Sequence, residues 1–166
     1  MKDALLAQLN NANTFFQRST GSLTEKDSSF TPVEGTFSVA GQVAHVGQTI
    51  DWFIEGAFSS DGFDTDFPAH EKQIRAVTSL AEAMNWVRRA VENARQVVAS
   101  KSEEEWAAPV APGPFGGLPR STIFGGITDH TAHHRGALTV YARALGKTPP
   151  NPYVDPADQV PPRATN

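Results

Sequence analysis

The segment DHTAHHRGALTVY, residues 129–141, contains three of the chain's five histidines. It lies in a longer stretch whose apolar residues recur at intervals of three and four, the spacing that places side chains on one face of a helix. The residues of this seam are Ile123, Ile127, His130, His134, Leu138, Tyr141 and Leu145. Ser121 can cap the helix, and Gly146 followed by prolines ends it near Leu145. The pattern therefore predicts a helix over residues 121–145 that turns His130 and His134 towards a protein core.

The two seam histidines allow two interpretations. Two imidazoles four residues apart lie on the same helix face, about one turn apart, and can bind one metal ion. A single core histidine is more often just hydrogen-bonded, but two on one seam would each need partners for both ring nitrogens. The chain has no cysteine, so a metal site must use histidine, aspartate or glutamate. We favour metal ligation by His130 and His134.

Three further segments carry helical periodicity. The first covers residues 2–19, and the second covers residues 38–57. The third is residues 80–100, preceded by Ser79, which can form a capping box with Glu82. No segment shows a strong strand pattern. We therefore predict an all-α fold, an antiparallel up-down four-helix bundle.

Proline marks the irregular parts of the chain. Residues 109–120, PVAPGPFGGLPR, hold four prolines and three glycines and predict a loop, which at this length is often functional. Residues 1–150 are predicted to form a single domain. Residues 151–166 form a proline-rich tail that is expected to lie extended along the body or to be disordered.

A third metal ligand can come from the second helix. His45, on the flank of that helix's apolar seam, can point into the bundle towards the histidine pair, although a helix-surface position is the alternative. His133 lies on a different side of the last helix and is a reserve ligand. Asp129 either accepts a hydrogen bond from a ring N–H or is simply a surface residue. His70, in FPAHEKQ, is expected to be exposed in a loop.

Composition and missing motifs exclude several functions. The chain has 166 residues, 39% of them hydrophobic and 19% charged, with a net charge of −4. This balance fits an ordinary globular domain and gives no basic surface for nucleic acid. Signal-peptide and membrane-span patterns are lacking, so a cytoplasmic protein without membrane attachment is expected. The H-E-x-x-H protease signature, the phosphate-binding G-x-x-x-x-G-K-[ST] loop and a nucleophile-elbow serine are also missing.

The sequence resembles the DinB-like family of metal-dependent enzymes. The resemblance rests on VAGQVAHVGQTIDWF around His45, on DHTAHHRGAL, and on YARALGKTPP at the end of the last helix. It implies an up-down four-helix bundle that binds a divalent ion through His45, His130 and His134. Arg135 and Gly136 match the family motif that follows the histidines, whereas alanine stands at position 137, where glutamine is common.

The resemblance also suggests a reaction class. Some members are thiol-dependent transferases and isomerases, so we expect an enzyme that activates a low-molecular-weight thiol for transfer to a small molecule. Hydrolysis by a metal-bound water and a non-enzymatic structural or regulatory metal site remain alternatives. Zinc or nickel is the expected ion, although three imidazoles also suit copper or iron.

Further expectations concern the pocket and the assembly. Trp52 and Tyr141 are predicted to line a pocket with the 109–120 loop near its mouth, although each could equally be core packing. A homodimer is expected because the last helix carries an extra stripe of small residues. This stripe consists of Gly126, His133, Ala137, Val140 and Ala144.

Overall fold

The computed structural model describes residues 1–155 and 157, which are helical without any β-strand. Two short 3-10 turns, Glu25–Asp27 and Arg120–Thr122, accompany six α-helices. The helices are α1 (Lys2–Thr20), α2 (Val39–Phe58), α3 (Phe67–Ala76), α4 (Leu80–Ser100), α5 (Glu103–Ala107) and α6 (Ile123–Ala144). The four long helices, α1, α2, α4 and α6, are those predicted from the sequence, and the all-α bundle fold is confirmed.

Polar caps fix where several helices begin. Ser38 and Ser79 each accept a hydrogen bond from the backbone N–H three residues later, at the start of α2 and α4. α6 differs from the prediction, because Ser121 lies inside the preceding 3-10 turn and Thr122 is the residue before the helix. α6 ends as predicted at Gly146, whose φ of +73° suits glycine.

The four long helices pack in a defined order around one apolar core. α2 packs against α4 and α6, and α1 packs against the same two helices. α1 and α4 are antiparallel, since Lys2 bonds the carbonyl of Ala99 while Asn10 bonds Arg95. α2 and α6 are also antiparallel. The largest fully buried side chains in the core include Phe16, Val43, Val87, Trp106, Phe124, Ile127 and Leu138.

The short helix α3 explains why α2 and α4 run parallel. Ser28 accepts hydrogen bonds from the N–H groups of Ala40 and Leu80, so α2 and α4 begin at the same end of the bundle. α3 carries the chain back between them. The predicted up-down alternation therefore holds along the chain when α3 is counted as one of the alternating helices.

The segment that follows α6 lies against the bundle. Arg18 of α1 pairs with Asp155 at 2.9 Å, and Arg135 of α6 donates to the Tyr153 hydroxyl at 2.9 Å. The rest of the predicted tail, residue 156 and residues 158–166, lies outside the described residues. Among the helices described, none is both long and apolar enough to cross a membrane.

Candidate metal centre

The structure brings three histidines from two helices together. The ring centroid of His45 on α2 lies 4.8 Å from that of His130 and 4.6 Å from that of His134. The His130 and His134 centroids are 4.3 Å apart. One nitrogen from each ring lies within 4.8 Å of the others. The predicted convergence of the second and last helices at their histidines is confirmed.

A close helix contact places these rings. Gly126 on α6 packs against Phe53 on α2, and a Cβ at this glycine would lie 2.6 Å from the Phe53 ring. From this contact, antiparallel packing brings His45, two turns before Phe53, level with His130 and His134, one and two turns after Gly126. The absent side chain at position 126 therefore lets the two helices approach closely at the histidines.

The hydrogen bonds of the rings involve α2. His134 Nε2 lies 3.0 Å from His130 Nε2, so both atoms face the same point. Gln42 Nε2 lies 2.8 Å from His134 Nδ1, and Thr49 Oγ1 lies 3.5 Å from His45 Nδ1. Gln42 has no predicted role, although it lies three residues before His45 and hence on a neighbouring part of the same face.

Burial keeps the three imidazoles neutral. Burial, together with a smaller contribution from the neighbouring imidazoles, lowers the pKa of His130 to about 4 and that of His134 to about 3. Burial likewise lowers the pKa of His45. A neutral imidazole has one nitrogen with a lone pair, and a metal requires that lone pair. Three neutral rings with converging nitrogens fit the donor set of a zinc-type ion.

A cavity of about 310 Å³ opens beside the cluster. His45 and His130 form part of its wall, together with residues of α2, α3 and the segment before α2. The remaining lining residues are Phe37, Gln48, Thr49, Trp52, Phe53, Phe67, His70, Glu71 and Ile74. Most of the described lining residues have aromatic rings, and the others include a few neutral or acidic polar groups. The described lining contains no lysine or arginine.

The other predicted site residues fall in different places. Trp52 lines the cavity, but within the described lining Tyr141 does not. Tyr141 lies two helical turns beyond His134, where its side chain is buried in the core. Its hydroxyl donates a hydrogen bond to the Phe37 carbonyl at 3.3 Å. Asp129 is exposed, and its carboxylate makes no hydrogen bond to a described ring. His133 is exposed and lies outside the cluster.

His70 differs from its prediction. It lies on α3 rather than in a loop, and its side chain is 18% exposed. His70 Nε2 lies 2.9 Å from Asp64 Oδ2, and the other oxygen of this carboxylate accepts the Asp66 N–H at 2.9 Å. The Trp52 indole also donates to the Asp64 carbonyl at 2.7 Å. The cavity therefore contains a histidine whose orientation is set by a carboxylate.

The predicted loop over residues 109–120 lies behind the aromatic wall of the cavity. Its ends are paired by a hydrogen bond from the Val110 N–H to the Leu118 carbonyl at 2.9 Å. Phe115 at its tip packs on Trp52, Phe53 and Phe63, with ring centroids 6.5, 5.5 and 5.2 Å apart. The loop thus supports the cavity wall through one aromatic side chain.

Comparisons with known proteins agree with this architecture. The sequence model of the DinB family matches residues 1–162. Among solved structures, YfiT from Bacillus subtilis is similar, with a TM-score of 0.67 and 13% identity over 89% of each chain. YfiT is described as a probable metal-dependent hydrolase with an unusual four-helix bundle topology. At this identity the likeness shows the shared fold. No curated protein sequence matches the chain.

Proposed function

The chain belongs to the DinB family, and on this basis we propose that it is a metal-dependent enzyme that acts on small molecules. We propose that His45, His130 and His134 together bind one divalent ion. The family, the fold shared with YfiT and the three-histidine cluster support a metal-dependent function.

One observation carries the proposal, namely that three neutral imidazoles converge beside an open cavity. In the described part of the chain, the ligand group that meets here consists of three side chains. Structural zinc sites are closed by four protein ligands, whereas catalytic sites use three and keep a position for an exogenous ligand. A small molecule in the cavity has direct access to His45 and His130. This favours an enzyme over a structural or regulatory metal site.

We propose thiol transfer as the reaction and zinc or nickel as the ion. When bound, such an ion acts as a Lewis acid that favours the deprotonated form of a thiol or a water molecule. The chain has no cysteine, so the thiol must come from solution. Thiol-dependent members of the family provide the precedent.

Hydrolysis is the second candidate reaction. It is supported by the description of YfiT as a probable metal-dependent hydrolase. Water also reaches any site that is open to solvent. The two reactions share one requirement, because either nucleophile must lose a proton and rings that bind a metal through their lone pairs cannot accept it.

His70 is the residue that we assign to this proton transfer. Asp64 Oδ2 accepts a hydrogen bond from His70 Nε2 at 2.9 Å, which leaves Nδ1 with its lone pair. A base oriented by a carboxylate is the arrangement that hydrolytic triads use. Nδ1 takes the proton of the S–H or O–H group as its sulfur or oxygen forms a bond to the acceptor. The same proton then passes to the leaving group as its bond breaks.

The cavity wall suggests the class of acceptor. Five of its eleven lining residues are apolar, namely Phe37, Trp52, Phe53, Phe67 and Ile74. Arg75 stacks on Phe37, with its guanidinium 4.7 Å from the ring centroid, but it bonds Glu71 and the Gly35 carbonyl. No described lysine or arginine is therefore free in the cavity to pair with an anionic substrate. We propose an uncharged acceptor with an apolar or aromatic body.

Cobalt substitution distinguishes the three functions. The cobalt-loaded protein should change its visible absorption spectrum when 2-mercaptoethanol or cysteine is added, because a thiolate is a strong ligand. No response to thiols, together with metal-dependent cleavage of an ester such as p-nitrophenyl acetate, would identify a hydrolase. If the protein shows neither the thiol response nor ester cleavage, and its spectrum is that of a cobalt ion without an open coordination position, the site is structural. The His133→Ala variant is the control and should behave as the native protein.

Two broader predictions complete the proposal. We propose a homodimer formed through the outer side of α6, where His133, Val140 and Ala144 are exposed. Gly126 of the predicted stripe faces Phe53 within the chain instead. The cytoplasmic location stays a prediction.

A further inference from the structure

The two Nε2 atoms of His130 and His134 restrict where the ring protons can be. They lie 3.0 Å apart. At this distance there are two possibilities. Either one nitrogen carries a proton and donates a hydrogen bond to the other, or the lone pairs of both nitrogens face one cation. In the second case each neutral ring must carry its proton on Nδ1. Metal ligation by this pair therefore requires one particular tautomer of His134.

Gln42 occupies the position that decides this tautomer. Its Nε2 lies 2.8 Å from His134 Nδ1, and the residue is only 7% exposed, so water does not compete readily for the contact. The two ends of the amide have the same shape, one being an acceptor oxygen and the other a donor NH2 group. A ring that carries its proton on Nδ1 must meet the oxygen. A ring that meets the NH2 group, as His134 does in this structure, must carry its proton on Nε2, where the proton hydrogen-bonds His130 and blocks ligation.

We propose that Gln42 is a positioning residue that selects the metal-binding tautomer of His134 when its amide turns over, so that Oε1 takes the place of Nε2 and accepts a hydrogen bond from the Nδ1–H group. This inference rests on the proposed metal site and adds a residue to it. The orientation of the amide and the position of the ring proton change together, so Gln42 links α2 to ligation by α6. Histidine ligands in metal sites commonly donate their second N–H to an oxygen in this way.

The partner of His45 does not provide the same selection. Thr49 Oγ1 lies 3.5 Å from His45 Nδ1, at the limit of a hydrogen bond, and a hydroxyl can donate or accept. The tautomer of His45 therefore gains little preference from Thr49. Gln48 also hydrogen-bonds the His45 ring. Of the contacts with Nδ1 made by Gln42 and Thr49, that of Gln42 is the shorter.

Zinc titration against a chromophoric chelator tests the inference. Gln42→Leu removes the acceptor and should weaken zinc binding by about 10–100-fold, the usual effect of removing a partner of a histidine ligand. Gln42→Glu supplies an acceptor that cannot donate when ionised, so it should bind zinc at least as tightly as the native protein. Nitrogen-15 NMR of the zinc-free Gln42→Glu protein should show the His134 proton on Nδ1.

The control is Thr131→Val, which removes a buried hydroxyl from the side of α6 that faces Leu9 and Phe16 of α1. It should bind zinc normally. Native zinc affinity in Gln42→Leu would overturn the role of Gln42 and leave the metal site standing. Equally weak binding by Gln42→Glu and Gln42→Leu would show that accepting a hydrogen bond is not what matters. Failure of the native protein itself to bind zinc would overturn the proposed function, and this inference with it.

Discussion

His134 is 8% exposed, yet both of its ring nitrogens are polar and need partners. Gln42 and His130 supply them at 2.8 and 3.0 Å. Burying a polar ring costs free energy unless its atoms are paired. His134 can therefore occupy a position on the apolar seam because its ring nitrogens contact Gln42 of α2 and His130 of its own helix.

Alanine substitutions test the ligand set at the residue scale. His45→Ala, His130→Ala and His134→Ala should each reduce zinc affinity by more than the ~10–100-fold expected when a residue that only supports a ligand is lost. His133→Ala should retain most of the bound metal because His133 is exposed and lies outside the cluster. The metal content of each variant after dialysis measures how much bound metal it retains. Loss of metal in His133→Ala but not in His134→Ala would contradict the assignment.

The proposed proton acceptor makes a separate prediction. His70→Gln should keep native metal content but lower kcat by about 10²–10⁴-fold, the range that a positioned acid or base contributes. Asp64→Asn should show a smaller loss because His70 remains but is no longer held by a carboxylate. Glu71→Gln, which changes a neighbouring lining residue, is the control. Equal kcat in His70→Gln and the native protein would exclude this role.

The sequence indicated some of these residues and not others. His130 and His134 stood out because they replace apolar residues in a helical seam, and His45 because a motif accompanies it. Gln42 and His70 did not, because their roles depend on contacts with Nδ1 of His134 and with Asp64 that arise only after the helices pack. Tyr141 shares the seam of the histidines, but periodicity cannot tell where along a helix a cavity ends.

At the scale of elements, the contact between α2 and α6 controls the site. Gly126→Ala should destabilise the protein by about 1–3 kcal/mol, because the added methyl group overlaps the buried Phe53 ring. The displaced helices should also bind zinc more weakly. Chemical denaturation and chelator titration measure the two effects.

The neighbouring glycine provides a matched control for this prediction. A Cβ at Gly125 meets nothing within 4 Å. Gly125→Ala should therefore raise the free energy of unfolding by about 0.5–1 kcal/mol through helix propensity alone. Two variants with the same stability would show that the close approach at Gly126 is unimportant.

Element prediction succeeded where periodicity was long and failed where capping was decisive. The four long helices carry apolar residues over many turns. α3 has ten residues, of which only Ile74 is buried, so its sequence gives almost no periodic signal. Its start depends on Asp66, which accepts the Ala69 N–H at 3.0 Å, and on Pro68 in the first turn. The segment FPAHEKQ, residues 67–73, was accordingly assigned to a loop.

At the scale of the whole molecule, acid should destabilise the metal-free protein. The pKa values of His130 and His134 are about 4 and about 3 in the folded protein, whereas an unfolded histidine titrates near 6.5. Below about pH 6.5 the unfolded chain binds protons that the folded protein does not, so the free energy of unfolding falls as pH decreases towards 4. Thermal melts between pH 7.5 and 4.5 should show a falling Tm.

Two variants assign this effect to the cluster. His134→Asn should flatten the dependence of Tm on pH, since asparagine does not titrate. His133→Asn should change the slope much less, because the charge of His133 makes only a small contribution to lowering the pKa values of His130 and His134. A native protein whose Tm is constant over this range would contradict the burial of neutral imidazoles.

The proposed dimer is tested by sedimentation at micromolar concentration. Val140 is 62% exposed on the outer side of α6 and should be covered in the assembly. Val140→Glu should shift the native dimer to monomer, because a charge in an apolar interface is left unpaired. Sedimentation of the native protein as a monomer would remove this proposal.

Anomalous diffraction from crystals of the zinc-loaded protein tests the central claim most directly. One strong anomalous peak is expected, with one nitrogen each of His45, His130 and His134 at about 2.0–2.1 Å from it. Non-protein ligands should complete the coordination on the side of the cavity. A peak elsewhere, a peak coordinated by His133, or no peak at the three histidines would contradict the account.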